Sequence, residues 1–181
     1  MPAAIQQSQM ESDRLSAIKT IDSEIRAIEE LKKSLDAESL TKALDFMQNS
    51  TGRIIITGMG KSGHIGKKIA ASLASTGTPS FFVHPAEASH GDLGMITDDD
   101  VVIAISNSGE SRELIDILNY CKRFGIKLIA ITKNQDSSLG KAGDVVLLLP
   151  NNGEACPLGL APTSSTTATL VLGDILTIRM I

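Results

Sequence analysis

The stretch VVIAISNSGESRE, at residues 101–113, decides the fold class because an apolar run ends abruptly in a cluster of hydroxyl side chains. The run from Val101 to Ile105 is typical of a buried parallel strand. From Leu114 onward the apolar residues recur at helical spacing, so the serines are predicted to lie between a strand and a helix. The sequence therefore predicts an α/β protein with a polar loop at the carboxyl edge of its sheet.

This polar loop has the composition of an anion site. A helix amino terminus leaves backbone N–H groups unpaired and carries partial positive charge. The side chains of Ser106, Ser108 and Ser111 add hydroxyl donors without adding a countercharge, so a phosphate monoester is the natural ligand. The alternative is that Ser111 only caps the helix and the other serines only shape a turn. Three hydroxyls around one glycine favour binding.

The alternation of apolar strands and helices continues on both sides of this loop. Strands are predicted at RIIIT (53–57), SFFVH (80–84), VVIAI (101–105), KLIAIT (127–132) and VVLLLP (145–150), and helices from Ser62, from Ser111, near Leu139 and from about Thr163. Buried parallel strands need helices on both faces, which predicts a three-layer αβα sandwich around a five-stranded parallel sheet. The predicted strand order, 2-1-3-4-5, brings together the loops that follow Thr57 and Ile105.

A helical segment at residues 12–50 is predicted to precede the sheet, and residues 1–181 are assigned to a single domain. Apolar residues spaced by threes and fours mark a long amphipathic helix: Leu15, Ile18, Ile21, Ile25, Ile28, Leu31 and Leu35. A shorter helix is predicted from Ala37 to Gln48. The apolar stripe fits either its own domain or a second subunit, and both alternatives remain open.

Composition excludes several classes of function. The 181 residues contain no 18-residue apolar run, so no membrane span is predicted. A net charge of −4, one tyrosine and no tryptophan argue against a nucleic-acid surface. No signal-peptide pattern is found at the amino terminus, and two cysteines give no disulfide framework. We therefore expect a cytoplasmic protein.

The segment GMGKSG, at residues 58–63, matches the GxGxxG pattern of dinucleotide-binding proteins. That function needs an acidic residue at the end of the second strand, which instead closes with Val83 and His84. A nucleotide P-loop would need glycine where Ile55 stands. We expect the glycines to let the backbone approach another ligand. Lys61 would then neutralise a phosphate or a developing oxyanion, unless it is an ordinary exposed lysine.

Candidate proton-transfer groups cluster in the loop at residues 84–92 and near two other strand ends. His84 and His90 fit an acid/base pair, or metal ligands together with a carboxylate, but their spacing makes metal the weaker interpretation. Glu113 lies one turn inside the predicted helix, where a carboxylate also stabilises the helix dipole. Glu154 follows the last strand and opens onto the same edge. Cys156 has no neighbouring histidine in sequence, so a packing role is expected.

Four segments together resemble the sugar isomerase (SIS) domain, and most closely the arabinose 5-phosphate isomerases, over residues 15 to 181. They are GMGKSG, SNSGES, FFVHPAEASHGDLG and GEACPLGLAPTSSTTA. The resemblance implies the SIS fold and an aldose-ketose isomerase that interconverts D-ribulose 5-phosphate and D-arabinose 5-phosphate for Kdo and lipopolysaccharide synthesis. Two alternatives remain: an SIS isomerase of another sugar phosphate, and a non-catalytic sugar-phosphate-binding module.

The resemblance also implies roles for individual residues. Those implied in catalysis are Lys61, Glu113, Glu154 and His90. Those implied or predicted to contact the sugar or its phosphate are Ser106, Asn107, Ser108, Ser111, Gly77, Thr78, Gly60 and Ser62. His84 matches a position associated with zinc, which we expect to be inhibitory or incidental because an enediol route needs no metal. No cofactor is expected.

The same resemblance implies a homotetramer that binds a phosphorylated pentose, and no nucleic acid or membrane partner. Arabinose 5-phosphate isomerases also use a histidine from further along the chain and carry a pair of CBS modules, neither of which these 181 residues contain. The activity of the chain is therefore expected to be weak or absent even where its ligand site is whole.

Overall fold

Five parallel strands form the centre of the computed structural model, which describes the chain from residue 3, and its side chains from residue 6, to residue 181. The strands are β1 (Ile54–Gly58), β2 (Ser80–Val83), β3 (Val101–Ile105), β4 (Lys127–Thr132) and β5 (Val145–Leu148). Their order is β2-β1-β3-β4-β5, which confirms the predicted topology. β3 and β4 begin and end at the predicted residues.

Within residues 3–181, seven α-helices cover the two faces of this sheet. They are α1 (Ala3–Ser34), α2 (Ala37–Gln48), α3 (Gly60–Ser75), α4 (Pro85–Ala88), α5 (Ile115–Phe124), α6 (Ser138–Ala142) and α7 (Ser164–Arg179). Apolar side chains of α1, α2, α3 and α7 share one core cluster with the sheet, whereas those of α4, α5 and α6 share the other. The result is the predicted three-layer sandwich.

Strand pleating explains why the central strands are apolar throughout. In β1, Ile54 and Ile56 join one core cluster, whereas Ile55 joins the cluster on the opposite face. All residues of β1 and of β3 are buried. A strand that is buried on both faces cannot alternate polar with apolar residues, which accounts for the continuous apolar runs in the sequence.

The long helix α1 differs from the prediction in its extent and in its packing. It begins at Ala3 rather than near residue 12, because residues 3–11 contain no glycine or proline to interrupt a helix. Its buried apolar residues are Ala27 and Leu31, and Leu35 just beyond its end is packed against the same core. Four isoleucines of the predicted stripe stay exposed: Ile18, Ile21, Ile25 and Ile28. Most of the stripe therefore faces away from its own domain.

Two local features differ from what the sequence patterns predict. The segment after β2, for which the sequence predicts a loop, contains α4, which Pro85 begins at a position that proline favours. The helix after the serine loop starts as a 3-10 turn, Arg112–Leu114, and continues into α5. Among residues 3–181, no helix combines the length and the apolar composition that crossing a bilayer requires.

Candidate functional site

Polar atoms without partners collect at the carboxyl edge of the sheet. Four side-chain atoms in the described part of the chain are buried and make no hydrogen bond: Thr57 Oγ1, His84 Nδ1, Asn107 Oδ1 and Asn152 Nδ2. Each belongs to a residue that ends a strand or follows one by a few residues. Because buried polar groups are nearly always paired, this edge is where a ligand or water would complete the hydrogen bonding.

The serine loop after β3 is held in a fixed turn by its own hydroxyl groups. Ser106 is buried, its Oγ lies 2.8 Å from Ser111 Oγ, and it accepts the Gly109 N–H at 3.1 Å. Ser108 Oγ accepts the Glu110 N–H at 3.2 Å. Gly109 has a φ of 75°, and a Cβ there would collide with the Ser137 side chain. The turn therefore requires glycine at this position.

The same loop keeps donors free and keeps its acidic side chain away from them. Within the residues that the structure describes, the N–H groups of Asn107, Ser108 and Ser111 donate no hydrogen bond. The Glu110 carboxylate accepts from Ser138 N at 2.9 Å and from Ser138 Oγ at 2.7 Å. These hydrogen bonds lower the pKa of Glu110 and hold its charge at the start of α6. The loop thus has N–H donors that an anion could use, and its binding of phosphate stays a prediction.

A cavity of about 160 Å³ lies beside this loop, at the meeting of three elements. It is lined by Met59, Lys61, Ser62, Asn107, Pro162, Ser165, Thr166 and Thr169. These residues come from the first turn of α3, the loop after β3 and the start of α7. At about 30 Å³ for one water molecule, the cavity has room for about five non-hydrogen atoms, the size of part of a sugar.

The glycines of GMGKSG bring Lys61 to this cavity. Gly60 has a φ of 59°, which allows the chain to turn from β1 directly into α3. A Cβ on Gly63 would lie 2.5 Å from Gly58 O, so the first turn of α3 contacts the end of β1. The pattern is therefore explained by close packing of a helix on a strand, and Lys61, exposed on that first turn, lines the cavity.

Glu154 binds the start of α7. Its Oε2 accepts hydrogen bonds from Thr163 N at 2.8 Å, Thr163 Oγ1 at 3.1 Å and Ser165 N at 3.2 Å. Burial raises the pKa of Glu154, but the hydrogen bonds from Ser165 and Thr163 outweigh it, so its pKa lies below the ordinary value. Glu154 is thus an ionised cap of α7 and lies next to the cavity that α7 lines.

His90 and Glu113 are not brought to the cavity within one chain. His90 is exposed in the turn after α4, and its N–H donates to Glu87 O at 2.9 Å. Glu113 is exposed in the 3-10 turn that follows Ser111. Neither side chain lines the cavity that contains Lys61. Their catalytic roles remain predictions.

Gly77 and Thr78 lie at the opposite edge of the sheet from the serine loop. The residue after them, Pro79, accepts the N–H of Ile54, the first residue of β1, at 2.9 Å. Lys61 is the second residue of α3, and Gly77 follows the last residue of that helix by two positions, so about 21 Å of helix separates them. Within one chain they therefore cannot contact a ligand bound near Lys61, and their predicted contact with the sugar remains a prediction.

The zinc prediction finds only one candidate ligand. His84 is half-buried, and its ring stands edge-on to Phe82 at 6.4 Å between centroids. No group of three His, Cys, Asp or Glu side chains that fits a metal ion is found among the described residues. Structural zinc needs four ligands and catalytic zinc three, so this chain does not by itself present a fitting donor set.

Comparison with known proteins agrees with this fold. Residues 47–179 match the family model of the SIS domain. The chain belongs to the SIS domain family. This confirms the family that the sequence motifs indicated, and the matched residues include the serine loop, the glycine turn and all of α7.

Relatives of this SIS domain include curated proteins and solved structures. It is 57% identical over 166 residues to arabinose 5-phosphate isomerase KdsD of Pseudomonas aeruginosa, covering 92% of this chain and 51% of that protein. The chain thus spans about half the length of the curated relatives it matches. A solved structure of Escherichia coli CFT073 c3406 in complex with arabinose 5-phosphate is 43% identical, with a TM-score of 0.88, covering 93% of this chain and 90% of that one. A putative sugar-phosphate isomerase from Listeria monocytogenes is 30% identical, with a TM-score of 0.90, covering 94% of this chain and 89% of that one.

Sequence reasoning missed part of the cavity of this SIS domain. Ser165, Thr166 and Thr169 line it from the first turns of α7, and Met59 and Pro162 complete its wall. The signal was present in the segment PTSSTT, where small hydroxyl residues begin the last helix. The sequence alone identifies these residues only as part of a family motif. No sequence pattern indicates that the start of α7 faces the serine loop.

Proposed function

We propose that this SIS domain binds D-arabinose 5-phosphate and interconverts it with D-ribulose 5-phosphate. The observation that carries the proposal is one cavity that joins the anion-binding loop after β3 to Lys61 and to the hydroxyl groups of α7. The identity of 57% with an arabinose 5-phosphate isomerase supports the choice of sugar. The product would feed Kdo and lipopolysaccharide synthesis, as the sequence resemblance implies.

The two ends of the substrate would bind to different elements. The phosphate accepts hydrogen bonds from the hydroxyls of Ser106, Ser108 and Ser111 and from the free N–H groups of their loop. Asn107 Oδ1, which is buried and unpaired, accepts from a sugar hydroxyl, because a phosphate oxygen cannot donate to it. The sugar carbons then lie in the cavity, between Lys61 and the start of α7.

The reaction moves a proton between C1 and C2 of the open-chain sugar. A base removes the C2 proton, the released electron pair forms a C1–C2 double bond, and the aldehyde oxygen O1 takes up negative charge and then a proton. The O2 hydroxyl of this cis-enediol then loses its proton, C1 receives one, and C2 becomes the ketone. Lys61 stabilises the oxyanion, for which a positioned cation contributes a factor of about 10² to 10³ in rate.

The proton carriers of this proposal are Glu154, Glu113 and His90. Of these three residues, Glu154 lies nearest the cavity within one chain. Its Oε2 contacts the backbone of Ser165, which lines the cavity. Its lowered pKa makes it a weak base, so it would move protons between the two sugar oxygens rather than take the proton from carbon. Glu113 and His90 would act from the rim or from a second copy of the chain.

Proton NMR of D-arabinose 5-phosphate in deuterated water tests the activity. Loss of the C2 proton signal together with new ribulose 5-phosphate signals is the expected result. Broadened sugar signals without exchange would support the non-catalytic sugar-phosphate module instead. Sugar signals that stay sharp at substrate-like protein concentration would rule out this pentose phosphate as the ligand. A product screen over five-, six- and seven-carbon phosphates separates the proposal from an SIS isomerase of another sugar.

The proposed assembly is a cytoplasmic homotetramer in which α1 contributes to an interface between subunits. The support is the exposed stripe of α1, where Ile21 is 56% and Ile25 is 48% accessible. Exposed apolar stripes on monomers mark interaction surfaces. Light scattering after size-exclusion chromatography should show a tetramer for the wild type and a smaller species for Ile21→Asp with Ile25→Asp. Asp22→Asn, on the same helix, is the control.

The proposed route uses no cofactor and no metal, because an enediol step requires only a base, an acid and a group that stabilises negative charge. Activity should therefore survive dialysis against a chelator. Zinc bound at His84 is expected to inhibit or to have no effect. A loss of activity on chelation that zinc restores would contradict this part of the proposal.

A further inference from the structure

Two side chains of α1 contact the first turn of α7, next to the cavity. Thr167 Oγ1 donates a hydrogen bond to Glu24 Oε2 at 2.7 Å. Ser23 Oγ lies 3.1 Å from Ser164 Oγ, and Ser164 is completely buried. Both contacts join residues more than 140 positions apart in sequence. They fix α1 to the end of α7 that lines the site.

The first turn of α7 is therefore held from two sides. Glu154 binds it from the preceding loop, through Thr163 and the N–H of Ser165, and Glu24 binds it from α1. The amino end of a helix carries partial positive charge, so carboxylates at this position are favourable. Ser165, whose N–H contacts Glu154, and Thr166, which lies between Ser165 and Thr167, both line the cavity.

Helix α1 lies outside the part of the chain that matches the SIS family model. The family match begins at residue 47, after α1 has ended. The buried apolar residues of α1 are Ala27 and Leu31, which lie one and two turns beyond Glu24. The polar contacts of Ser23 and Glu24 thus join a helix outside the family match to one wall of the cavity.

We propose that Glu24 and Ser23 are positioning residues for the sugar end of the site. They hold the first turn of α7 so that Ser165 and Thr166 face the carbon chain of the ligand. This inference rests on the proposed function, in which the cavity receives the sugar part of the substrate. In a larger assembly it would also connect the exposed stripe of α1 to the site.

The proposal predicts that the two ends of the ligand respond differently. The phosphate loop follows β3 and is held by its own contacts, such as Ser106 N to Ile131 O at 3.1 Å and Ser106 Oγ to Ser111 Oγ at 2.8 Å. None of these involves α1. Loss of the Glu24 contact should therefore weaken binding of the sugar phosphate and leave binding of inorganic phosphate unchanged.

Titration calorimetry with D-arabinose 5-phosphate and with inorganic phosphate tests this prediction. Glu24→Ala and Thr167→Val should each weaken sugar-phosphate binding about fivefold, and the double variant should be no weaker than either, because both remove one contact. Glu24→Gln should restore binding, since its amide oxygen still accepts from the Thr167 hydroxyl. Asp22→Ala, an exposed carboxylate on the same helix, should bind like the wild type.

Equal losses for both ligands, or unchanged sugar-phosphate affinity in Glu24→Ala and Thr167→Val, would overturn the positioning role. A wild type that binds both ligands equally would instead contradict the proposed function. In that case amide hydrogen exchange at Ser165 and Thr167 decides the positioning role without a ligand. Faster exchange in Glu24→Ala than in Asp22→Ala supports it, and equal exchange rules it out.

Discussion

The two edges of the sheet differ in how their polar groups are paired. At the amino edge the Asp100 side chain is fully buried and accepts hydrogen bonds from Arg53 N at 2.7 Å, Thr97 N at 2.8 Å and Arg53 Nη2 at 3.2 Å. At the carboxyl edge, atoms as deeply buried as Thr57 Oγ1 and Asn107 Oδ1 have no partner in the described part of the chain.

This difference separates stability from binding. A buried carboxylate is tolerated only where charges and N–H groups compensate it, and Arg53 with Thr97 provides that compensation at the amino edge. Burial raises the pKa of Asp100, but the hydrogen bonds from Arg53 and Thr97 lower it by more than burial raises it. The pKa therefore lies below its ordinary value, and the carboxylate stays ionised. Unpaired atoms at the other edge weaken the fold slightly and leave hydrogen bonds for a ligand to complete. Substitutions at the amino edge should therefore change stability, whereas substitutions at the carboxyl edge should change binding or catalysis.

Lys61→Ala at the carboxyl edge should have the largest effect. Loss of the cation that we propose to stabilise the oxyanion should lower kcat about 10² to 10³-fold, while the melting temperature stays within a degree or two. Steady-state kinetics and differential scanning calorimetry measure the two quantities. Lys67→Ala, an exposed lysine on the same helix, is the control and should keep its activity. A large loss of stability in Lys61→Ala would contradict the division between the edges.

Asp100→Asn at the amino edge should act on stability instead. Removing the charge leaves the Arg53 guanidinium with weaker partners and should lower the free energy of unfolding by about 2 kcal/mol. The loss stays below the 3 to 5 kcal/mol typical of a broken buried pair, because Arg53 is 41% accessible to water. Urea denaturation measures it, with Asp98→Asn as the exposed control. A changed KM for the sugar phosphate would count against the comparison.

Ser106→Ala should reduce phosphate affinity about tenfold. The substitution removes a donor to the anion together with the hydroxyl that contacts Ser111 and Gly109. A tenfold change corresponds to about 1.4 kcal/mol, the strength of one hydrogen bond to a charged group. Calorimetry with inorganic phosphate measures the loss. Ser75→Ala, at the far end of α3, should bind phosphate like the wild type, and an equal loss there would refute the assignment.

Of the two substitutions that should change stability, Glu154→Gln should have the smaller effect, and that effect should depend on pH. The pKa of Glu154 is lower in the folded chain than its ordinary value of 4.5. The ionised carboxylate therefore stabilises the folded protein at pH values above 4.5. The substitution should cost about 1 kcal/mol at pH 7, because the neutral amide lacks the charge that the amino end of α7 attracts. As pH falls below 4.5 through the folded pKa, the wild type should lose this advantage and the two proteins should converge. Chemical denaturation from pH 3 to 7 tests the convergence, and a constant difference would be the contrary result.

The elements of the core were predictable because their signals are local. The apolar run from Val101 to Ile105 ends directly before the serines, and β3 begins and ends at the same two residues in the structure. The serine loop was predictable for the same reason, since strand, glycine and helix start are adjacent in sequence. The first turns of α3 and α5 were displaced by one to four residues, because helix ends depend on caps and 3-10 turns that periodicity does not show.

Sequence by itself determined the fold class, the strand order, the SIS family and the position of the serine loop at the carboxyl edge of the sheet. Each of these depends on contacts between neighbours in the chain or on the short connections that parallel strands allow. Only the tertiary structure decided that Ser165 and Thr166 at the start of α7 line the cavity, and that Glu24 of α1 holds this turn of α7. Such contacts join residues far apart in sequence, and their geometry follows from how helices pack on the sheet, which no local pattern records.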